Sequence, residues 1–252
     1  TVVRLTAAGA VDLTFGGGDG KFLLDIQESN ATSRGAIKPL ADGSVIAGGY
    51  ANSPGVGSTQ PVLYKLTPAG VLDTAFASGG VFHDVVLPIQ TEVYNIALHG
   101  TNIVTAGYGR ATGTTNDWIS LRFDINTGVR DMGWGGAANG AVVFDPSGTM
   151  LGSNCRNAIA LPNGKTALVG STGPGNMPAQ DAVFAILDAN GRLDTTFGDG
   201  IHVYPLGANG NDQFWGGVVS GTNVLFVGYK GGGMVQTDTV NDDAYGVILS
   251  LD

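Results

Sequence analysis

The phrase Gly-x-x-Asp-x-x-aromatic occurs four times: Gly9/Asp12/Phe15, Gly70/Asp73/Phe76, Gly128/Asp131/Trp134 and Gly191/Asp194/Phe197. The four glycines are separated by 61, 58 and 63 residues. A period of this kind marks a chain built by stacking one supersecondary unit, because a single unit cannot bury its own apolar face. A residue that recurs in every unit is best explained as building the unit. Chemistry is to be sought where the units differ.

A second phrase is interleaved with the first. A tight turn leads into an apolar run that ends in glycine: Asp42-Gly43 to Gly48, His99-Gly100 to Gly107, Asn163-Gly164 to Gly170, and Ser220-Gly221 to Gly228. Each turn joins two short apolar runs, the signature of a β-hairpin, here strands A and B. A third run follows a variable loop, at 62–66, 118–123, 182–187 and 245–251. This is strand C. The Gly-x-x-Asp-x-x-aromatic phrase comes next, and then strand D, at 21–26, 81–86, 141–144 and 201–204. No stretch keeps the apolar spacing of a helix. The 42 glycines, spread along all 252 residues, suit many short strands and tight turns.

About sixty residues carrying four antiparallel strands is one blade of a β-propeller. The expected fold is therefore all-β: a single propeller domain over 1–252 of four four-stranded blades, with an open or partial ring of a longer array as the variant reading. Within it, glycine turns the chain out of strand C, Asp holds the turn through backbone N–H groups, and the aromatic ring plugs the gap between blades. Metal ligation by Asp12, Asp73, Asp131 and Asp194 is the alternative. The phrases Leu72-Asp73-Thr74-Ala75-Phe76, Leu193-Asp194-Thr195-Thr196-Phe197-Gly198 and Val11-Asp12-Leu13-Thr14-Phe15-Gly16 resemble the delta-60 repeat, a bacterial propeller-like repeat. The third copy departs, with Arg130 and Trp134 in place of Leu and Phe. The resemblance implies a propeller in a secreted or cell-surface protein and carries over no catalytic residue.

Net charge of −9 and the absence of a Lys/Arg cluster argue against nucleic acid. Cys155 is the only cysteine, which excludes an internal disulfide and a thiolate metal cage. No apolar run reaches 18 residues, so no helical membrane span is expected. The chain opens at Thr1 inside strand C and ends inside strand C. It is therefore expected to be a trimmed product, an array segment, a short ring with a redundant strand, or a protomer that self-associates through an open strand edge.

In such a blade the repeated phrases share one face and the variable loops the other. The loops are 51–60, 109–116, 171–180 and 229–242, with 27–33, 87–92, 145–154 and 205–212. Binding is expected on the loop face. The candidate ligand residues are Arg34, Tyr94, Asn95, Arg156, Asn157, Gln213 and Trp215 at the start of strand A, and Trp118 at strand C. They suit a protein or carbohydrate partner, with inter-blade packing the alternative for both tryptophans. Asp238, Asp242 and Asp243 form an acidic loop in which calcium is the alternative to solvation. Scattered His83, His99 and His202, and the lack of a Gly-x-Ser-x-Gly elbow, give no sequence support for a hydrolase. The expected function is a non-enzymatic extracellular binding or assembly module without a cofactor. The alternative is a propeller hydrolase with a channel metal, for which Glu92, Asn95, Asn157 and Asp212 are placed to try.

Overall fold

A computed structural model describes residues 1–26, 30–32, 35–52, 57–148, 152–173, 180–206, 211–231 and 243–251. The first unit holds β1 (Val2–Val3) and β2 (Lys21–Phe22). The second holds β3 (Asn30–Thr32), β4 (Ile37–Pro39), β5 (Val45–Asn52), β6 (Thr59–Leu66) and β7 (Val81–His83). The third holds β8 (Gln90–His99), β9 (Asn102–Arg110), β10 (Asp117–Asp124) and β11 (Ala141–Phe144). Next come β12 (Asn154–Ala160), β13 (Thr166–Ser171), β14 (Ala182–Leu187) and β15 (Ile201–Tyr204), then β16 (Gln213–Ser220), β17 (Asn223–Lys230) and β18 (Asp243–Ser250).

Within each unit the strands pair antiparallel in chain order. Strand A of the second unit is split into β3 and β4, both paired with β5. The second and third units touch edge to edge through one parallel pair, Thr59 with Gln90. The hairpin turns use left-handed glycines as the sequence requires, at Gly43, Gly100, Gly164 and Gly221.

Strand D pairs with strand C of its own repeat, β2 on β1, β7 on β6, β11 on β10 and β15 on β14. The described strands therefore form a C–D pair, three A–B–C–D sets and an A–B–C set. The cause is the phrase itself. The N–H groups of Asp12, Asp73, Asp131 and Asp194 bond carbonyls of Arg4, Lys65, Arg122 and Ile186 in strand C, which folds the chain straight back onto that strand.

The core lies between units. Strands of the middle units are buried on both faces with period 2. In β14, Val183, Ala185 and Leu187 pack towards the preceding unit, while Ala182, Phe184 and Ile186 pack towards the following one.

The phrase interlocks neighbours. Phe15, Phe76 and Trp134 are buried, and a Cβ on the next unit's glycine would lie only 2.5, 3.0 and 2.5 Å from these rings, at Gly70, Gly128 and Gly191. The residue after each ring donates its N–H to the next unit: Gly16 to Ala69, Ala77 to Thr127, Gly135 to Asn190. Each Asp accepts the N–H two residues on, from Thr14, Ala75, Gly133 and Thr196. A cation completes the joint. Arg4 pairs Asp12, stacks on Phe15 and donates to the Pro68 carbonyl; Arg122 pairs Asp131, stacks on Trp134 and donates to the Ala189 carbonyl. In the fourth copy Ile186 occupies the arginine position, and Lys165, from the turn just before strand B, reaches Asp194 instead.

Candidate functional site

Strand A carries a β-bulge at one repeat position in three units, between Val93 and Asn95, Cys155 and Asn157, and Phe214 and Gly216. The glycine that ends strand B makes the bulge fit. A Cβ on Gly107, Gly170 or Gly228 would lie 1.8, 1.9 or 1.8 Å from the carbonyl oxygen of Glu92, Asn154 or Gln213. Bulges re-aim side chains next to functional sites. Here the re-aimed residues are Tyr94, Arg156 and Trp215, and they meet.

The Arg156 guanidinium carbon lies 5.1 Å from the Tyr94 ring centroid and 4.8 Å from that of Trp215, within cation–π range of both. Tyr50 of β5 stacks on Tyr94, with centroids 6.1 Å apart. Four side chains from four consecutive units thus form one ladder. Trp215 remains 43% exposed at its end.

Beside the ladder is a half-buried polar chain. The Tyr94 and Tyr108 hydroxyls are 2.6 Å apart, the Tyr108 phenol hydrogen-bonds Glu92, and Gln90 Nε2 donates to Glu92 Oε1. Arg110 donates to Gln90 Oε1. Burial pushes the Tyr108 phenol far above its ordinary value, and the Glu92 carboxylate pushes it further. Burial also raises Tyr94. Both phenols therefore stay protonated and serve as donors.

The candidates divide as follows. Tyr94, Arg156 and Trp215 come together. Asn157 Nδ2 donates to the Trp215 carbonyl (3.2 Å), and Asn95 Oδ1 accepts the Ile96 N–H (2.7 Å), so both brace the bulges. Trp118 is corrected: it is fully buried, donates Nε1 to the Ser171 carbonyl of the next unit and packs on Phe144. Gln213 is corrected likewise, being fully buried with Nε2 on Ser171 Oγ. Both are removed from ligand by inter-unit packing. Arg34, Asp238 and Asp242 lie outside the described residues. Asp243 is the first residue of β18, paired with Lys230, at the repeat position that Asp117 and Asp181 also hold.

Among the described residues, the donors placed for a channel metal make protein contacts of their own. Asp212 is fully buried and spends its oxygens on the N–H groups of Leu206 and Gly231. Among the described residues no three of His, Cys, Asp or Glu group as a metal site. Cys155 is fully buried and its thiol is pushed up to about 12, so it is inert. His99 bridges two units through Thr166 Oγ1, and His202 stacks on Phe184.

Clefts of about 300, 570 and 480 Å³ open between units on the opposite face, around His99 and Trp134, around Ala77 and Arg130, and around Gly135 and Arg192. The last two occupy equivalent places in successive repeats and follow from stacking.

Sequence reasoning missed Tyr50 and Tyr108. A signal existed for Tyr108, since it directly follows the glycine that ends strand B, as Tyr229 does in the last unit.

A family described as a domain of unknown function (DUF5122) beta-propeller matches residues 40–76. It supports a propeller-like family without specifying the delta-60 repeat. A search of curated proteins finds no match. Among solved structures, the chain is similar to a Penicillium chrysogenum alpha-L-arabinanase complexed with arabinobiose, at 14% identity and TM-score 0.54. The match covers 88% of this chain and 63% of the arabinanase, so the chain spans less than two thirds of its length. A Bombyx mori GH32 beta-fructofuranosidase in complex with sucrose aligns at 10% identity and TM-score 0.36, over 89% of this chain and 49% of the enzyme. At such identities the likeness shows the fold alone. The expectation of a non-enzymatic module is not supported, since the solved propeller that shares this fold is that of an enzyme.

Proposed function

We propose that this chain is a delta-60-type propeller, in an extracellular setting, that hydrolyses glycosidic bonds at the strand-A rim. One observation carries the reading: a Tyr50–Tyr94–Arg156–Trp215 ladder ends in an exposed indole and is backed by the Glu92 carboxylate. Aromatic faces offer a sugar ring apolar area at little entropic cost. Gln90 and Tyr108 hydrogen-bond Glu92 and fix a carboxylate beside the ladder, the kind of group that stabilises the positive charge of an oxocarbenium-like transition state.

Such cleavage pairs one carboxylate with a second carboxyl that protonates the leaving oxygen. On the loop side, Asp117 and Asp181 have carboxyls raised first by burial and then by a neighbouring carboxylate, Asp145 and Asp212 respectively. A raised carboxyl is the acid-side partner this chemistry needs. The arabinanase likeness makes arabinose oligomers the first substrates to try.

The test is reducing-end release from a panel of neutral and acidic oligosaccharides by the wild-type chain and by Glu92→Gln, Asp117→Asn and Asp181→Asn. Loss in Glu92→Gln and in one aspartate variant supports the reading and names the acid. Equal rates in all four proteins would sink it.

A further inference from the structure

We propose that Arg156 makes the rim selective for glycans that carry carboxylates, such as uronic-acid oligomers. The inference rests on the glycan reading of the rim and adds its substrate class. Four other cations are neutralised in place, Arg4, Lys65, Arg122 and Lys165, each ion-paired to the Asp of the repeated phrase. Arg156 has no ion pair among the described residues, and its buried Nε has no hydrogen-bond partner there. It is instead held between two rings.

That arrangement has a chemical consequence. Both rings hold the guanidinium through its carbon, and no Arg156 N–H donates to a described residue. The planar fork matches a carboxylate bidentately, which a lysine ammonium cannot do. The rings also fix the fork in advance, so little side-chain freedom is lost when ligand binds. The β-bulge is what frees Arg156 from the strand ladder to stand there.

The whole chain, at −9, repels an anionic glycan. Acid preference therefore has to come from a local cation, and Arg156 is the one the ladder presents beside the exposed Trp215.

The experiment is calorimetric titration of the full chain with a galacturonate oligomer and a neutral galactose oligomer of equal length, for wild type, Arg156→Met and Arg156→Lys. A charge-assisted pair predicts that wild type favours the acidic oligomer by about tenfold. The ratio falls to near one in Arg156→Met, which keeps an apolar spacer between the rings, and to an intermediate value in Arg156→Lys. Thermal unfolding of each variant checks that the fold survives. A wild-type ratio near one, or a ratio unchanged in Arg156→Met, overturns the inference. So does an acidic peptide bound as tightly as galacturonate. If galacturonate is preferred yet never cut, the inference stands and the hydrolase reading fails. If neutral oligomers are cut with no acid preference, this inference alone fails.

Discussion

Gly9 and Gly191 hold the same place in the repeat, with φ of 80° and 84°, yet they answer to different demands. A Cβ on Gly191 would lie 2.5 Å from the Trp134 ring, whereas one on Gly9 would meet nothing within 4 Å. Gly9→Ala is expected to cost only left-handed strain, about 1–2 kcal/mol. Gly191→Ala adds a backbone-fixed clash and is expected to cost clearly more; denaturant unfolding of the two variants measures the difference. Asp194 makes a pH prediction. Lys165 first, and Thr196 next, hold its carboxyl below its ordinary value. A folded pKa lower than the unfolded one gives stability that is present above the unfolded value and lost as pH falls through the folded value. The melting-temperature gap between wild type and Asp194→Asn is therefore expected near neutral pH and to shrink below about pH 4. Cys155 is expected to resist thiol reagents in the native state and to react on unfolding, which mass spectrometry reads directly. The glycine and Asp positions were legible from spacing. The arginine partners were not, because Arg4 and Arg122 are far apart in sequence and their common role appears only when strand C is laid against the turn.

At the scale of the element, the aromatic of one unit is the plug of the next. Trp134 is buried against the following unit, so Trp134→Ala is expected to cost about 3–5 kcal/mol. Phe197 is only partly buried among the described residues, and Phe197→Ala is expected to cost less. Chemical denaturation of both variants tests the ranking. The strands and hairpin turns could be read from apolar runs and glycines, because local pattern sets them. The bulges could not. A bulge is a register slip between two strands, and one strand's sequence records only its consequence, the glycine opposite it. This is why Trp118 and Trp215 looked alike as sequence. One lies in a regular strand and is buried by the neighbouring unit; the other is the bulged residue and emerges.

For the whole molecule, stacking puts the repeated-phrase interlock on one face and gathers four rim side chains at the other. Repetition made the propeller legible in the sequence, but not which strand C each strand D would join, since both choices satisfy the same pattern. The rim was legible only in part: strand A starts were the right place, while the ladder depends on contacts between units that no local signal encodes. The measurement that bears most directly on the proposed function is reducing-end release from arabinose, galactose and galacturonate oligomers by the full chain and by Glu92→Gln. The account predicts turnover by wild type and a fall of at least about a hundredfold in Glu92→Gln with rim binding retained. Binding of oligomers without any turnover by wild type, or equal turnover by the two proteins, would contradict it.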